Sequence, residues 1–194
     1  GASIRRAFAD SLARLGTPHV DLLLIHWPSP QLQLADAWRG LAALRAEGGA
    51  KAIGVSNFPP RLLRRAIEAD VGLACLQVEF HVLLDQSKLL ELCRAHGLVL
   101  TAYSPLGKGQ AAEHPELARI ARKHGATAAQ VALAWLLAQP DVAMVPKAAS
   151  VVRQRENLDA LRIALDAADM AAIAGLPKDR RFVNPAMAPD WVNG

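Results

Sequence analysis

Five short apolar runs, spaced by segments with helical periodicity, constrain this chain more than any other feature. Val20-Asp21-Leu22-Leu23-Leu24-Ile25 is apolar at all but one position, and Ala52-Ile53-Gly54-Val55, residues 74–80, Leu98–Tyr103 and Val142–Val145 follow it. Nearly continuous apolar runs suit strands buried on both faces, as in a parallel sheet. The intervening segments predict helices. Residues 3–15 place Ile4, Ala7, Phe8, Ser11, Leu12 and Leu15 on one face, with Gly16 and Pro18 as the stop. Residues 34–46, a segment opened by Pro59-Pro60, and residues 87–96, 114–124, 128–138 and 151–164 follow, then a last helix ending near Gly175. Thr127 with Gln130, and Asp166 with Asp169, have the spacing of capping boxes. The tail, 177–194, is Pro-rich and irregular, with Phe182, Met187 and Trp191 to pin it. Strand-helix alternation of this kind predicts an α/β fold with a parallel sheet and right-handed crossovers.

Polar residues stand where these runs end: His26 and Trp27, Ser56-Asn57, Gln77 and Glu79, Tyr103-Ser104, and Lys147. In a parallel α/β barrel the strand C-termini share one rim, and the chemistry is built there. The 194 residues fit one domain. Five strands are fewer than the eight that such a barrel needs, and an open arc leaves unpaired edges. The expected fold is therefore a (β/α)8 TIM barrel of which residues 1–194 supply the last five strands and their helices, the N-terminal βα units lying upstream.

Composition removes several function classes. The net charge is +4, but Arg5-Arg6, Arg64-Arg65 and Arg180-Arg181 lie far apart with acids between them. There is no basic stripe with interleaved aromatics, so no nucleic-acid partner is expected. Cys75 and Cys93 match no metal or redox spacing and read as buried thiols of a reducing compartment. No apolar stretch reaches the roughly 18 residues of a membrane span, and the start lacks a signal peptide's apolar core. A cytoplasmic protein with no membrane partner is the expectation.

Each polar group suggests a chemistry beside a plainer role. A neutral His26 imidazole could donate a hydrogen bond to a carbonyl oxygen and stabilise negative charge that develops on it; otherwise it is a core histidine. Ser56, Asn57 and Gln77 carry the donors and acceptors that a carboxamide needs, whereas Ser56-Asn57 could equally cap the helix after Pro59-Pro60. The Tyr103 ring could stack on a flat ligand or lie in the core. Lys147 and, six residues on, Arg153 could grip a phosphate at a helix start, or form a solvated surface. The loop from Ser104 through Leu106 to Gly109 could bring main chain close to a pyrophosphate. Glu79 and His81 face one side of their strand and read as structural; with His26 they would also suit a metal-dependent hydrolase, although no third ligand has convincing spacing.

Taken in order, these motifs resemble the aldo-keto reductase family. The carriers are Leu15-Gly16 with Val20–Pro28, Gly54-Val55-Ser56-Asn57-Phe58, Gln77-Val78-Glu79-Phe80-His81, Ala102–Gly107, Val145-Pro146-Lys147, and Arg153 with Glu156-Asn157. The tail, from Arg181-Phe182-Val183-Asn184-Pro185 to Trp191, is similar to the bacterial 2,5-diketo-D-gluconate reductase B branch, also known for reducing methylglyoxal. The resemblance implies a monomeric enzyme that reduces small aldehydes or ketones with NADPH. It implies that His26 orients the substrate carbonyl, with Trp27 beside the substrate, and that Ser56, Asn57 and Gln77 hold the nicotinamide carboxamide. Tyr103 would stack on the ring, Ser104 and Leu106 would meet the pyrophosphate, Lys147 and Arg153 the 2′-phosphate, and Glu156 and Asn157 the adenine. The family's proton-donor tyrosine, with its Asp and Lys, belongs to earlier strands and has no matching position here. Leu76 stands where relatives often carry Asn, and Ala148 where many carry Ser or Thr. The alternative is a nucleotide-binding regulatory or sensor protein that lacks the proton donor.

Overall fold

The computed structural model describes residues 2–29 and 33–191. Residues 192–194, the end of the tail read above, lie outside the described set. The elements are α1 (Ala2–Leu15), β1 (Val20–Ile25), α2 (Leu34–Ala46), β2 (Ala50–Ser56), α3 (Pro60–Glu68), β3 (Cys75–Glu79), α4 (Ser87–Ala95), β4 (Val99–Tyr103), α5 (Pro115–Lys123), α6 (Ala128–Leu137), β5 (Val142–Met144), α7 (Val151–Asp159) and α8 (Ala167–Ala174). Hydrogen-bonded strand neighbours follow chain order, β1-β2-β3-β4-β5. No helix among the described residues is long and apolar enough to cross a membrane. The chain divides into two compact units: residues up to Gln77 with Lys88–Val99 and the tail from Pro185, and Val78–Ser87 with Leu100–Asn184.

In the first unit β1 runs parallel to β2 from Val20↔Ala50 to Ile25↔Val55, and β2 parallel to β3 from Gly54↔Cys75 to Ser56↔Gln77. Gly54 is required by this register. A Cβ there would collide with the Cys75 carbonyl oxygen and crowd the Leu24 side chain. Ile53, Val55, Phe58 and Leu63 are wholly buried, and the Trp38 ring packs on Phe58 at 5.9 Å. Burial of such side chains stabilises by about 1.5–3 kcal/mol each. β1 departs from the expectation of burial on both faces: Asp21 and Leu22 are exposed. Among the described residues β1 pairs only with β2, and Lys51 of β2 reaches across to Asp21 at 2.6 Å.

In the second unit β4 pairs in parallel with β5 from Leu100↔Val142 to Ala102↔Met144. Phe80, just past β3, donates its N–H to the Tyr103 carbonyl at 3.3 Å. α6 is apolar on nearly all sides and buries every residue from Val131 to Leu136, the pattern of a core helix. Its Thr127–Gln130 capping box forms as the sequence predicts, and so does Asp166–Asp169 at α8. Asp169 does more than cap. It accepts from His124 Nε2 at 2.7 Å and from Lys123 Nζ at 2.9 Å, tying the end of α5 to the start of α8. The helix predicted over 151–164 stops at Asp159 and tightens into a 3-10 turn over Ala160–Arg162, because Ile163 turns extended before the Asp166 cap.

Candidate functional site

The first unit assembles one group of predicted residues. Because Ile25 pairs with Val55 and Ser56 with Gln77, the ends of β1 and β2 meet beside Gln77, the middle residue of β3. Asn57 locks that junction. Its N–H donates to the Gln77 carbonyl at 2.9 Å, and its Nδ2 donates to the His26 carbonyl at 2.9 Å and to Ser56 Oγ at 3.1 Å. Asn57 does this from the left-handed region, φ 63°, which asparagine tolerates better than most residues. Ser56 and Asn57 are buried, and the capping role is not what they perform: Pro59 is the N-cap of α3, with no side-chain bond, and Pro60 opens the helix.

His26 is the exposed member of this group. Its ring makes no hydrogen bond among the described residues and stands 6.2 Å from the Trp27 ring, which meets Trp191 edge-on at 6.3 Å. The half-buried Gln77 amide likewise makes no hydrogen bond among the described residues. A cleft of about 560 Å³ in the same unit is lined by Pro28, Leu34, Leu62, Arg65 and Met187 among others.

The second unit holds the rest. Tyr103 ends β4 with its ring half-buried. Burial pushes its hydroxyl up to about 12; the Glu79 charge adds to this and Arg181 opposes it. Such a hydroxyl keeps its proton and is a poor general acid near neutrality. The loop after it curls tightly: Ser104, Gly107, Lys108 and Gly109 all have positive φ, Gly107 N–H donates to the Ser104 carbonyl at 2.8 Å and Gly109 N–H to the Leu106 carbonyl at 2.9 Å.

Lys147 and Arg153 are exposed. Arg153 is the third residue of α7, whose first turn contains no acid, and Ser150 Oγ accepts the Arg153 N–H at 3.3 Å. A helix start flanked by two cations favours an anion. Glu156 is engaged internally: its carboxylate accepts from Thr127 Oγ1 at 2.8 Å, and its carbonyl from Gln130 Nε2 at 3.0 Å. Asn157 lines an apolar cleft of about 470 Å³ with Leu137, Met144, Pro146, Leu158 and Leu161. Gln154 lines it too, and apolar walls with two amides can take a flat base.

Glu79 and His81 are wholly buried and occupied by the protein itself. Glu79 Oε1 accepts from His81 Nε2 at 3.0 Å, and His81 Nδ1 accepts the Leu83 N–H at 3.2 Å. No group of three metal-binding side chains occurs among the described residues. Sequence reasoning missed three features here: the Ser150 cap, which the S-x-x-R spacing could have suggested, the Thr127–Glu156 bond, and the partners of Glu79 more than a hundred residues away.

Residues 1–178 match the Aldo/keto reductase family model, and the chain belongs to that family. An aldo-keto reductase of Mycobacterium sp. (strain JLS) is 40% identical over 91% of this chain and 64% of its own length. The methylglyoxal reductase DkgB of Yersinia pestis is 37% identical over 94% of this chain and 70% of its own. A crystal structure provisionally named 2,5-diketo-D-gluconic acid reductase B superimposes with a TM-score of 0.94 at 39% identity, covering 98% of this chain and 69% of that one. An aldo-keto reductase complexed with NADPH superimposes with a TM-score of 0.90 at 31% identity, covering 100% and 67%. The chain thus spans roughly two thirds of the length of its relatives, and less than that of the Mycobacterium protein. The expected resemblance to the 2,5-diketo-D-gluconate reductase B branch is met by these relatives.

Proposed function

We propose that this chain serves the NADPH-dependent reduction of small aldehydes and ketones to alcohols, with 2,5-diketo-D-gluconate or methylglyoxal-like compounds as substrates. The observation that carries the reading is the register of three parallel strands. It brings His26, Ser56-Asn57 and Gln77 together while leaving the His26 ring and the Gln77 amide without a hydrogen bond among the described residues.

NADPH, when bound, supplies the hydride. His26 donates a hydrogen bond to the substrate oxygen and stabilises the negative charge that develops there, with Trp27 as a wall. Gln77 and Ser56 meet the carboxamide. Asn57 holds the rim as much as it meets the ligand, because Nδ2 already bonds His26 and Ser56. Tyr103 supports the ring face, and the main chain of Ser104 and Leu106 approaches the pyrophosphate. Lys147 and Arg153 grip the 2′-phosphate. Asn157, in its apolar cleft, and Glu156 flank the adenine. Holding both reactants in register supplies a large part of such catalysis. In the whole protein these strands belong to a (β/α)8 barrel, and the reading is of a cytoplasmic monomer with a small-molecule carbonyl partner.

Isothermal titration of the complete gene product with NADPH, alongside its consumption in the presence of methylglyoxal, tests this. Binding with turnover is expected; absence of NADPH binding refutes it. A second reading, nucleotide binding without turnover, is favoured by the Tyr103 hydroxyl, which burial and the Glu79 charge hold in its protonated form. Binding with no consumption of any small carbonyl would select it.

A further inference from the structure

Glu79 has more to hold than a buried structural carboxylate needs. Oε1 accepts the Phe182 N–H at 2.8 Å in addition to His81, and Oε2 accepts the Val183 N–H at 2.9 Å with Arg181 Nη1 at 3.9 Å. Both main-chain donors come from the irregular segment after α8. That segment is laid alongside residues 82–85: Leu84 bridges Asp179 antiparallel, Arg180 N–H donates to the Leu83 carbonyl at 2.9 Å, and Asp85 N–H to the Lys178 carbonyl at 2.9 Å. Lys178 Nζ donates to the carbonyls of Val82 at 2.7 Å and Ile173 at 2.8 Å, and sits 5.0 Å above the Trp135 ring.

The consequence falls on Phe182. Its ring lies 5.3 Å from that of His81 and so close to Gly107 that a Cβ there would come within 2.9 Å of Phe182 Cε2. The turn after Tyr103 therefore rests on Phe182, and the main chain of Phe182 hangs from Glu79. Burial raises the Glu79 carboxyl, but hydrogen bonds from His81, Phe182 and Val183 outweigh it and hold the group ionised. An anion is what two converging N–H donors require.

We propose that Glu79 is a positioning residue: by holding the main chain of Phe182 and Val183 it seats the Phe182 ring against the Ser104–Gly109 loop, and so sets how tightly that loop and Tyr103 grip the nucleotide. This rests on the cofactor reading above. Glu79→Gln keeps the shape but turns a donor toward one of the two N–H groups. Phe182→Ala removes the seat and leaves Glu79 intact, which guards against a Glu79→Gln protein that fails to fold.

The test measures hydrogen exchange without ligand and NADPH affinity by titration, on the wild type and both variants. Faster exchange at both 178–183 and 104–110 is expected in Glu79→Gln, and at 104–110 in Phe182→Ala. NADPH should bind roughly tenfold more weakly to each, with Phe182→Leu recovering most of the loss. Loosening confined to 178–183, with 104–110 and the affinity unchanged, overturns the proposal. If the 104–110 amides loosen as expected but the wild type binds no NADPH, the seat stands and the cofactor reading is what fails.

Discussion

The end of β2 and the start of α7 both carry residues proposed to hold NADPH, and they are built in opposite ways. Ser56 and Asn57 are buried, and Asn57 bonds the ends of β1 and β2 and the middle of β3. α7 buries none of its nine residues, and Lys147 and Arg153 reach into solvent. The first arrangement fixes its hydrogen bonds within the sheet itself; a ligand proposed to bind there would meet a preformed pattern, tied to the stability of the sheet. The second offers exposed charge at a helix start, whose pull on an anion salt would screen. Changes to the buried rim should damage fold and function together, and changes to the exposed helix start should touch function alone.

The largest break is expected at Gly54→Ala. The new methyl meets the Cys75 carbonyl and Leu24, so β2 and β3 must part, at about 3 kcal/mol or more. Urea melts should show the loss, and an unchanged midpoint would mean that the rim is not held by this close approach. Asn57→Ala should cost about 2–3 kcal/mol, since it leaves the His26 carbonyl without that donor and puts alanine at φ 63°. Asn57→Gly, which accepts that backbone, should be milder.

Asp169→Asn extends the contrast to a second buried anion and should cost about 2 kcal/mol. Burial raises this carboxyl, but bonds from His124 and Lys123 hold it well below the ordinary carboxylate range. Its stabilisation is complete above the unfolded pKa near 3.8 and is lost as pH falls below it. Thermal melts at decreasing pH should therefore fall less steeply below about pH 4 in Asp169→Asn than in wild type. The smallest effect on the fold is expected for Lys147→Ala with Arg153→Ala. Melting should be unchanged, while NADPH affinity drops roughly tenfold or more and its salt dependence flattens. A loss of stability there would erase the contrast.

Much of the architecture was legible because it is local. Apolar runs, the glycine stops and both capping boxes depend on residues a few positions apart, and all of them recur in the structure. His114 was not read as a cap, yet its Nδ1 accepts the Glu116 N–H at the start of α5; histidine is outside the usual capping set. The exposure of β1 was hidden because a run of leucines does not say how many neighbours a strand has. Of the candidate site, the residue types at strand ends could be read, but their commitments could not. Asn57 bonds a residue 31 positions away, Glu156 one 29 away, and Glu79 two more than 100 away. No periodicity encodes such pairs.

Lys178 carries one more implication. Burial brings its ammonium down to about 8, against 10.5 in an unfolded chain. Between those values the native state has shed a proton that the unfolded chain still binds, so this group's contribution to stability grows with rising pH. Lys178, which fastens residues 178–183, thus contributes least at neutrality and below and most in alkali; its slope has the same sign as that of the tie at Asp169, several pH units higher.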